Sequence, residues 1–391
     1  MRATVHGAWK SPLTLVAAAT GAAVGMGNLW KFAYVTGQHG GAAFVLVYVL
    51  CMLLIGLPLL VAEFAVGARG RGDPHHAATG LVLEAGVSPR WHWLGGLAIV
   101  SAVLVLSYFS VVAGWSISYL QIIAGDELEA ASGHDVGQRF ARLLADDREM
   151  LISQSLFLGG TVLIVASGVL RGLGLIARLL LPMLLALLGL LVYQAAQLGD
   201  MPAALHYLFD FREVDLSLEA VLAALGHVFF SLSLGTGVML TLGAYAPDRR
   251  SLIAMGLGVV VLDLLIGLLA GLAIYPLVFS QHIEPTAGPG LLFITLPYIF
   301  ANLESGLWLG SLFFMTAILA AFGSSIALLE VPVAWLVQRW RWPRPLAALG
   351  AGLLVWALGL VSVYSFNVLA DVRPLGLSLF AWLDRLLTLV L

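Results

Sequence analysis

Charge is what this sequence has least of. Of its 391 residues 10% are Asp, Glu, Lys or Arg and 61% are hydrophobic, with a mean hydropathy of +0.99, whereas a soluble domain carries roughly a quarter charged residues. That composition excludes a soluble enzyme. Cysteine is nearly absent: the single Cys51 excludes an intramolecular disulfide framework and paired-cysteine metal sites, and reads as core. There is no Gly-x-x-x-x-Gly-Lys-Ser/Thr loop for ATP and no His-Glu-x-x-His for zinc, so any work the protein does must draw on an ion gradient. The net charge of -3 and a pI near 6.3 leave no basic face for nucleic acid. The first apolar segment runs on into Gly, Asn and Lys rather than a small-residue cleavage site, so it reads as a retained span and not a signal peptide.

What is present is apolar sequence enough for nine or ten bilayer crossings of about 20 residues each. Breakers between the runs predict spans over 12–36, 41–69, 93–122, 151–169, 174–198, 218–245, 251–279, 307–339 and 345–363, with a tenth beginning at Leu377. Residues 377–391 are too few to reach the far interface as a helix. With the N-terminus in the cytoplasm, the inner connections hold Arg2, Lys10, Arg69, Arg71, Arg90, Arg171, Arg178, Arg249, Arg250, Arg339, Arg341 and Arg344. The outer ones hold Arg139, Arg142, Arg148, Arg212, Arg373 and Arg385. This excess of inner positive charge predicts an N-in, multi-pass protein of the cytoplasmic membrane. The acidic outer segments 126–149 and 200–219 read as solvated faces, the Gly67–Gly72 stretch as a cytoplasmic loop, and His75-His76 as a solvated loop pair.

Two spans carry tight glycine interruptions in corresponding places, Gly25-Met26-Gly27 in the first and Gly235-Thr236-Gly237 in the sixth. Unpaired backbone at that depth is tolerated where it lines a polar cavity; the alternative is close helix packing through small residues. With Asn28 beside one break and Ser231 and Ser233 beside the other, carbonyls, amides and hydroxyls would converge without formal charge, which suits a small zwitterion and a monovalent cation. Breaks five spans apart imply a five-plus-five repeat, residues 1–198 and 199–391, the second copy inverted because five is odd. Four acids fall within spans: Glu63, Asp263, Glu330 and Asp384. Each costs about 2.5–3.5 kcal/mol at the bilayer centre without a partner or water. Asp263 is the functional candidate, Glu63 a brace for unwound backbone, and Glu330 a snorkelling residue near the cytoplasmic end. Lys31 is placed to pair with Asp384 across an outer gate, or to snorkel.

Trp9-Lys10-Ser11-Pro12, Gly21 through Phe32, Gly56-Leu57-Pro58 with Glu63, Phe229 through Gly235, Gly290 through Pro297 and Ser324-Ser325-Ile326-Ala327 resemble the bacterial neurotransmitter:sodium symporters, in order along essentially the whole chain. The resemblance implies an all-α polytopic membrane protein of the leucine-transporter type, with broken helices 1 and 6 and a second repeat that stops short in helix 10. It implies a substrate carboxylate at the amides of Met26 and Gly27, and an amine at the carbonyls of Ala23, Phe230 and Ser231. The side-chain pocket would comprise Val105, Phe109, Phe230, Ser233, Thr236, Ser324 and Leu328. One sodium site would draw on Ala23, Asn28, Ser231 and Asp263. The second would draw on Gly21, Val24, Ala320 and Ser324.

The departures from the family pattern carry information. Phe109 stands where a tyrosine usually holds the carboxylate, with Tyr108 one residue off. Gly323 replaces a threonine ligand of the second sodium site, leaving it one oxygen short. Asp263 replaces a neutral asparagine, which adds a charge that either strengthens cation binding or accepts a proton. Lys31 replaces the outer-gate arginine and loses its bidentate fork. His6 and Gln338 replace the inner-gate ion pair. His227 replaces a glutamine and reads as a satisfied polar histidine. The expectation is a non-enzymatic secondary transporter, coupling sodium, with a proton as the alternative ion, to the symport of a neutral, hydrophobic or aromatic amino acid. No organic cofactor is implied, and no feature sets an oligomeric state. A non-transporting amino-acid sensor and a truncated inactive member remain alternatives.

Overall fold

In hydrocarbon every backbone polar group must bond within its own segment or line a polar cavity, and the apolar runs of this chain accordingly fold as helices. A computed structural model describes residues 9, 11–210, 217–247, 252–282 and 290–390, with backbone alone for Trp30, Tyr34, Leu170, Leu375, Asp384 and 386–390. The first predicted span divides into α1 (Pro12–Ala23) and α2 (Met26–Gln38). The second is α3 (Ala42–Cys51) and α4 (Leu57–Gly70), joined by a π-helical turn. Then follow α5 (Pro74–Ala85), α6 (Trp93–Ala124), α7 (Gly133–Ala145), α8 (Asp147–Ala166), α9 (Leu181–Leu198) and α10 (Met201–Phe209). The sixth span divides into α11 (Leu218–Ser231) and α12 (Val238–Ala244). The chain continues through α13 (Leu252–Ser280), α14 (Leu296–Ala301), α15 (Gly306–Trp340), α16 (Arg344–Tyr364) and α17 (Leu379–Val390).

Among the described residues seven helical stretches besides the broken pairs are long and apolar enough to cross a membrane, and none of the described elements is a strand. Those built on α6 and α15 bury 72% of their apolar window, against 33% for the stretches ending in α4 and α9. The first two therefore form the centre of the bundle, and the others turn an apolar face outward to lipid.

Several expectations change here. The Gly67–Gly72 stretch is not a loop: α4 runs through Gly70 and ends on Arg71, left-handed at φ 52°. A Cβ on Gly67 would lie 1.9 Å from the Leu240 carbonyl oxygen, and one on Gly243 would lie 2.6 Å from that of Phe64, so these glycines let α4 and α12 touch backbone to backbone. His75 and His76 are not in a loop either. They occupy the first turn of α5, where the buried Asp73 accepts their amide hydrogens at 3.0 and 3.2 Å. Burial pushes the Asp73 carboxyl up from its ordinary value, against those two amides. The outer segment after α6 folds as α7, closed by a capping box between Ser132 and Asp135.

Gly67→Ala should lower stability by about 1–3 kcal/mol, since the obstructing atom is backbone. Gly80→Ala, in α5 with nothing within 4 Å of the new Cβ, should raise it by about 0.5–1 kcal/mol. Thermal unfolding of the detergent-solubilised protein checks both signs.

Candidate functional site

The two breaks face each other. The first lies at Val24 and Gly25, one residue earlier than the glycine pattern suggests, because Met26 and Gly27 already belong to the first turn of α2, whose N-cap Gly25 is not capped by any side chain. Gly27 serves close approach instead: a Cβ there would stand 2.2 Å from Cε1 of Phe230. The second break is longer, from Leu232 to Gly237, with Ser233, Gly235 and Gly237 in the left-handed region at φ 51°, 79° and 73°. Two loose ends of it are tied: Thr236 Oγ1 donates to the Ser233 carbonyl at 2.6 Å, and the Gly235 amide donates to Glu63 Oε1 at 2.8 Å. Glu63 does brace unwound backbone.

Between the breaks sits a buried polar cluster. Asn28 Nδ2 donates to Ser231 Oγ at 3.0 Å and to Asp263 Oδ1 at 2.9 Å, and Ser231 Oγ donates to the same Oδ1 at 2.7 Å. Tyr48 hydroxyl donates to Asp263 Oδ2 at 3.2 Å. Thus α2, α3, α11 and α13 all converge on one carboxylate that is wholly buried. The acceptor Asn28 Oδ1 is buried with no partner among the described residues, as is Thr20 Oγ1 one turn before the first break. A buried acceptor left unpaired costs about 1–3 kcal/mol; beside a carboxylate, it is the oxygen a small hard cation needs.

Next to the cluster is a cavity of about 30 Å³ lined by Ala23, Gly25, Gly27, Val105, Phe109, Phe229, Phe230, Ser233, Thr236, Ser324 and Leu328. Of the residues expected in the substrate pocket, Met26 and Ser231 do not line it. Met26 is buried with Ser116 Oγ against its sulfur at 3.7 Å, and Ser231 points into the polar cluster. Gly25 and Phe229 were not anticipated. Such a volume has room for one or two waters. Tyr108 cannot stand in for the missing tyrosine at Phe109, since its ring meets Phe380 of α17 at 6.0 Å and does not line the cavity. Gly21, Ala320 and Ser324 are all buried where α1 meets α15. A Cβ on Gly323 would lie 2.1 Å from the Gly21 carbonyl oxygen, so the missing threonine is replaced by direct backbone approach of α1 to α15.

Lys31 Nζ lies 4.9 Å from the ring centroid of Phe230, one of the residues lining the cavity. The side chain of Asp384, its expected gate partner, and the whole of His6 lie outside the described residues. His227 is not a satisfied histidine: it is buried against the rings of Phe32 and Tyr48, 5.7 and 5.2 Å between centroids, and neither ring nitrogen has a hydrogen-bond partner among the described residues. Glu330 does not snorkel. It is wholly buried, accepts from Tyr245 hydroxyl at 2.8 Å, and forms an ion pair with Arg344 of α16, because a carboxylate so placed needs a charged partner. Gln338 Oε1 accepts the Asp73 amide at 2.8 Å.

A family model described as the sodium:neurotransmitter symporter family matches residues 6–134 and 149–385. The chain belongs to the sodium:neurotransmitter symporter family. It is 35% identical to the uncharacterized sodium-dependent transporter YhdH of Bacillus subtilis, covering 95% of this chain and 82% of that protein. It is 32% identical to an uncharacterized sodium-dependent transporter of Haemophilus influenzae, covering 96% and 84%. Its structure superposes on that of MhsT in complex with L-phenylalanine with a TM-score of 0.87 and 36% identity, covering 98% of this chain and 87% of that one. The chain is thus a multi-pass membrane protein of the leucine-transporter fold and a sodium-dependent transporter, not an enzyme.

Tyr48 was missed in the sequence, although an intramembrane hydroxyl on an apolar helix signals a buried partner. Tyr48→Phe keeps the ring packing and removes one hydrogen bond to a carboxylate. The expected loss is about 1.5–3 kcal/mol of stability, read from denaturant midpoints in detergent. No loss would mean that the Tyr48 to Asp263 contact carries no weight.

Proposed function

We propose that this protein carries a neutral, hydrophobic or aromatic amino acid together with sodium into the cytoplasm by alternating access. The observation that carries this reading is the unpaired Asn28 Oδ1, buried beside Asp263 between the two facing breaks and next to the small cavity. Sodium enters there as cargo, meeting the side-chain oxygens of Asn28, Ser231 and Asp263 and the carbonyl of Ala23. A second ion would meet the carbonyls of Gly21, Val24 and Ala320 and the hydroxyl of Ser324, with one oxygen fewer because Gly323 has no side chain.

The amino-acid carboxylate fits the uncapped first turn of α2 at Met26 and Gly27, where helix dipole and free amides favour an anion. The ammonium group fits carbonyls of Ala23, Phe230 and Ser231, at C-terminal helix ends. The side chain would lie among Val105, Phe109, Phe230, Ser233, Thr236, Ser324 and Leu328; L-phenylalanine bound to MhsT supports an aromatic ligand. Since the cavity holds only one or two waters, Phe109 and Phe230 must move apart to admit it, and Lys31 over Phe230 is positioned to close behind it. The ion pair of Glu330 with Arg344, tied to α12 through Tyr245, closes the opposite end. Residues 1–198 and 199–391 act as the two inverted repeats, with the N-terminus cytoplasmic as the charge asymmetry suggests.

Uptake of labelled L-phenylalanine into proteoliposomes should rise under an inward sodium gradient. Indifference to sodium and proton gradients across all twenty amino acids would contradict symport, and saturable binding without flux would make the protein a sensor. Phe109→Tyr restores a hydroxyl beside the α2 amides and should tighten amino-acid binding about fivefold or more, as one hydrogen bond to a carboxylate allows. Unchanged affinity would mean that the ligand is not held through an α-carboxylate there.

A further inference from the structure

A groove of about 690 Å³ opens between α6, α15 and α16. It shares no lining residue with the cavity between the breaks. Its walls are apolar apart from His75, His92 and Arg339, and Val100 and Leu354 in them are 56% and 53% exposed. All three helices belong to stretches that are long and apolar enough to cross a membrane, so the medium against these walls is the bilayer.

One end of the groove differs from the rest. Trp335, Trp340 and Trp342 form a chain of rings there, with centroids 5.2 and 5.3 Å apart, and Arg339 lines the same end. Tryptophan and arginine at the end of a spanning helix mark the level of lipid headgroups. No Asp or Glu lines the groove, and among the described residues no carboxylate pairs with Arg339. Arg341, two residues on, is exposed as well. A basic pocket between membrane helices at headgroup level recognises a phosphate-bearing lipid, each basic group contributing roughly 1 kcal/mol. The volume lies within the range of about 300–1,000 Å³ that small-molecule sites occupy.

We propose that this groove is a binding site for an anionic phospholipid, one acyl chain lying between α6, α15 and α16 and the phosphate held by Arg339 beside the Trp335–Trp340–Trp342 rings. The charge on Arg339 selects the headgroup, and the apolar walls hold the chain whatever the headgroup is. The site needs no substrate or sodium, so it is independent of the symport reading.

Two substitutions separate these contributions. Gly96 lines the groove from α6, and a Cβ there meets nothing within 4 Å, so Gly96→Phe fills the groove without a backbone clash. Arg339 is exposed, so Arg339→Gln removes charge alone. Leu354→Trp, at an exposed wall position, repeats the block should Gly96→Phe fail to fold, as judged by thermal unfolding. The purified full-length protein is titrated with phosphatidylglycerol and with phosphatidylcholine of the same chains, and bound lipid is counted by native mass spectrometry. Phosphatidylglycerol should bind about fivefold more tightly. Arg339→Gln should bring it down to the phosphatidylcholine level, and a folded blocking variant should lose both. Equal affinity of the two lipids for the unmodified protein, or undiminished binding in a folded blocking variant, would overturn the proposal. So would displacement by inorganic phosphate at concentrations matching the lipid, which would make this a phosphate site rather than a lipid site.

Discussion

A carboxylate wholly buried at the middle of a membrane-embedded bundle, held by neutral donors, is the interaction on which the rest of this structure depends. Asp263 takes hydrogen bonds from Asn28, Ser231 and Tyr48. Those three neutral groups orient it without cancelling its charge. Insertion of such a group costs about 2.5–3.5 kcal/mol at the bilayer centre, a cost that a bound cation, as proposed above, or a proton on the carboxylate offsets. On the proposed reading the helix breaks serve the same end. An unbroken α1–α2 or α11–α12 would consume its carbonyls and amides in its own ladder, leaving side chains alone to meet an ion and a zwitterion.

Open backbone inside a membrane must be held in place, and the surrounding residues do this without adding charge at the site. Glu63 takes the amide of Gly235, while Gly67 and Gly243 let α4 lie directly on α12. Gly27 admits the edge of Phe230, and Gly323 admits the carbonyl of Gly21. The strongly paired charges stand farther away, where Glu330, Arg344 and Tyr245 join α15, α16 and α12. Polar backbone at the centre and ion-paired side chains toward the ends, Glu330 with Arg344 at one and Arg139 with Glu149 at the other, would let a protein open at its ends while keeping a fixed site between them.

Much of the fold was legible because membrane helices announce themselves by length and hydropathy. The spans predicted at 93–122, 174–198 and 345–363 match α6, α9 and α16 to within a few residues, apart from the π-helical turns that precede α9. The two interrupted spans were legible because glycine pairs are rare in a helix that must keep its ladder. Their exact breakpoints were not, since a glycine that caps a helix start and one that admits a neighbouring ring look alike in sequence, and Gly25 and Gly27 do one each. The short helices α5, α7 and α10, of 12, 13 and 9 residues, escaped notice because none is long enough to read as a span; their caps, Asp73, Ser132 and Asp200, were the available signal. Of the buried cluster, Asp263 stood out by its depth and Asn28 and Ser231 by lying beside the breaks, and only the family resemblance grouped the three. Tyr48 was not found: its hydroxyl signals a buried partner, but a single sequence does not say that this partner is Asp263 on α13. Glu330 was misread for a related reason: its partner Arg344 lies across a turn on the next helix, and only the folded chain brings them together.

Under the proposed function the Asn28–Ser231–Asp263 cluster takes a sodium ion whose binding is linked to that of the amino acid. Equilibrium binding of radioactive sodium to the purified protein, with and without L-phenylalanine, tests it most directly. The account predicts saturable sodium binding that tightens when the amino acid is present, with the reciprocal tightening of the amino acid by sodium that linkage requires, and loss of that binding in Asn28→Ala. Sodium binding that is absent, or that is untouched by both the amino acid and the Asn28 substitution, would contradict it.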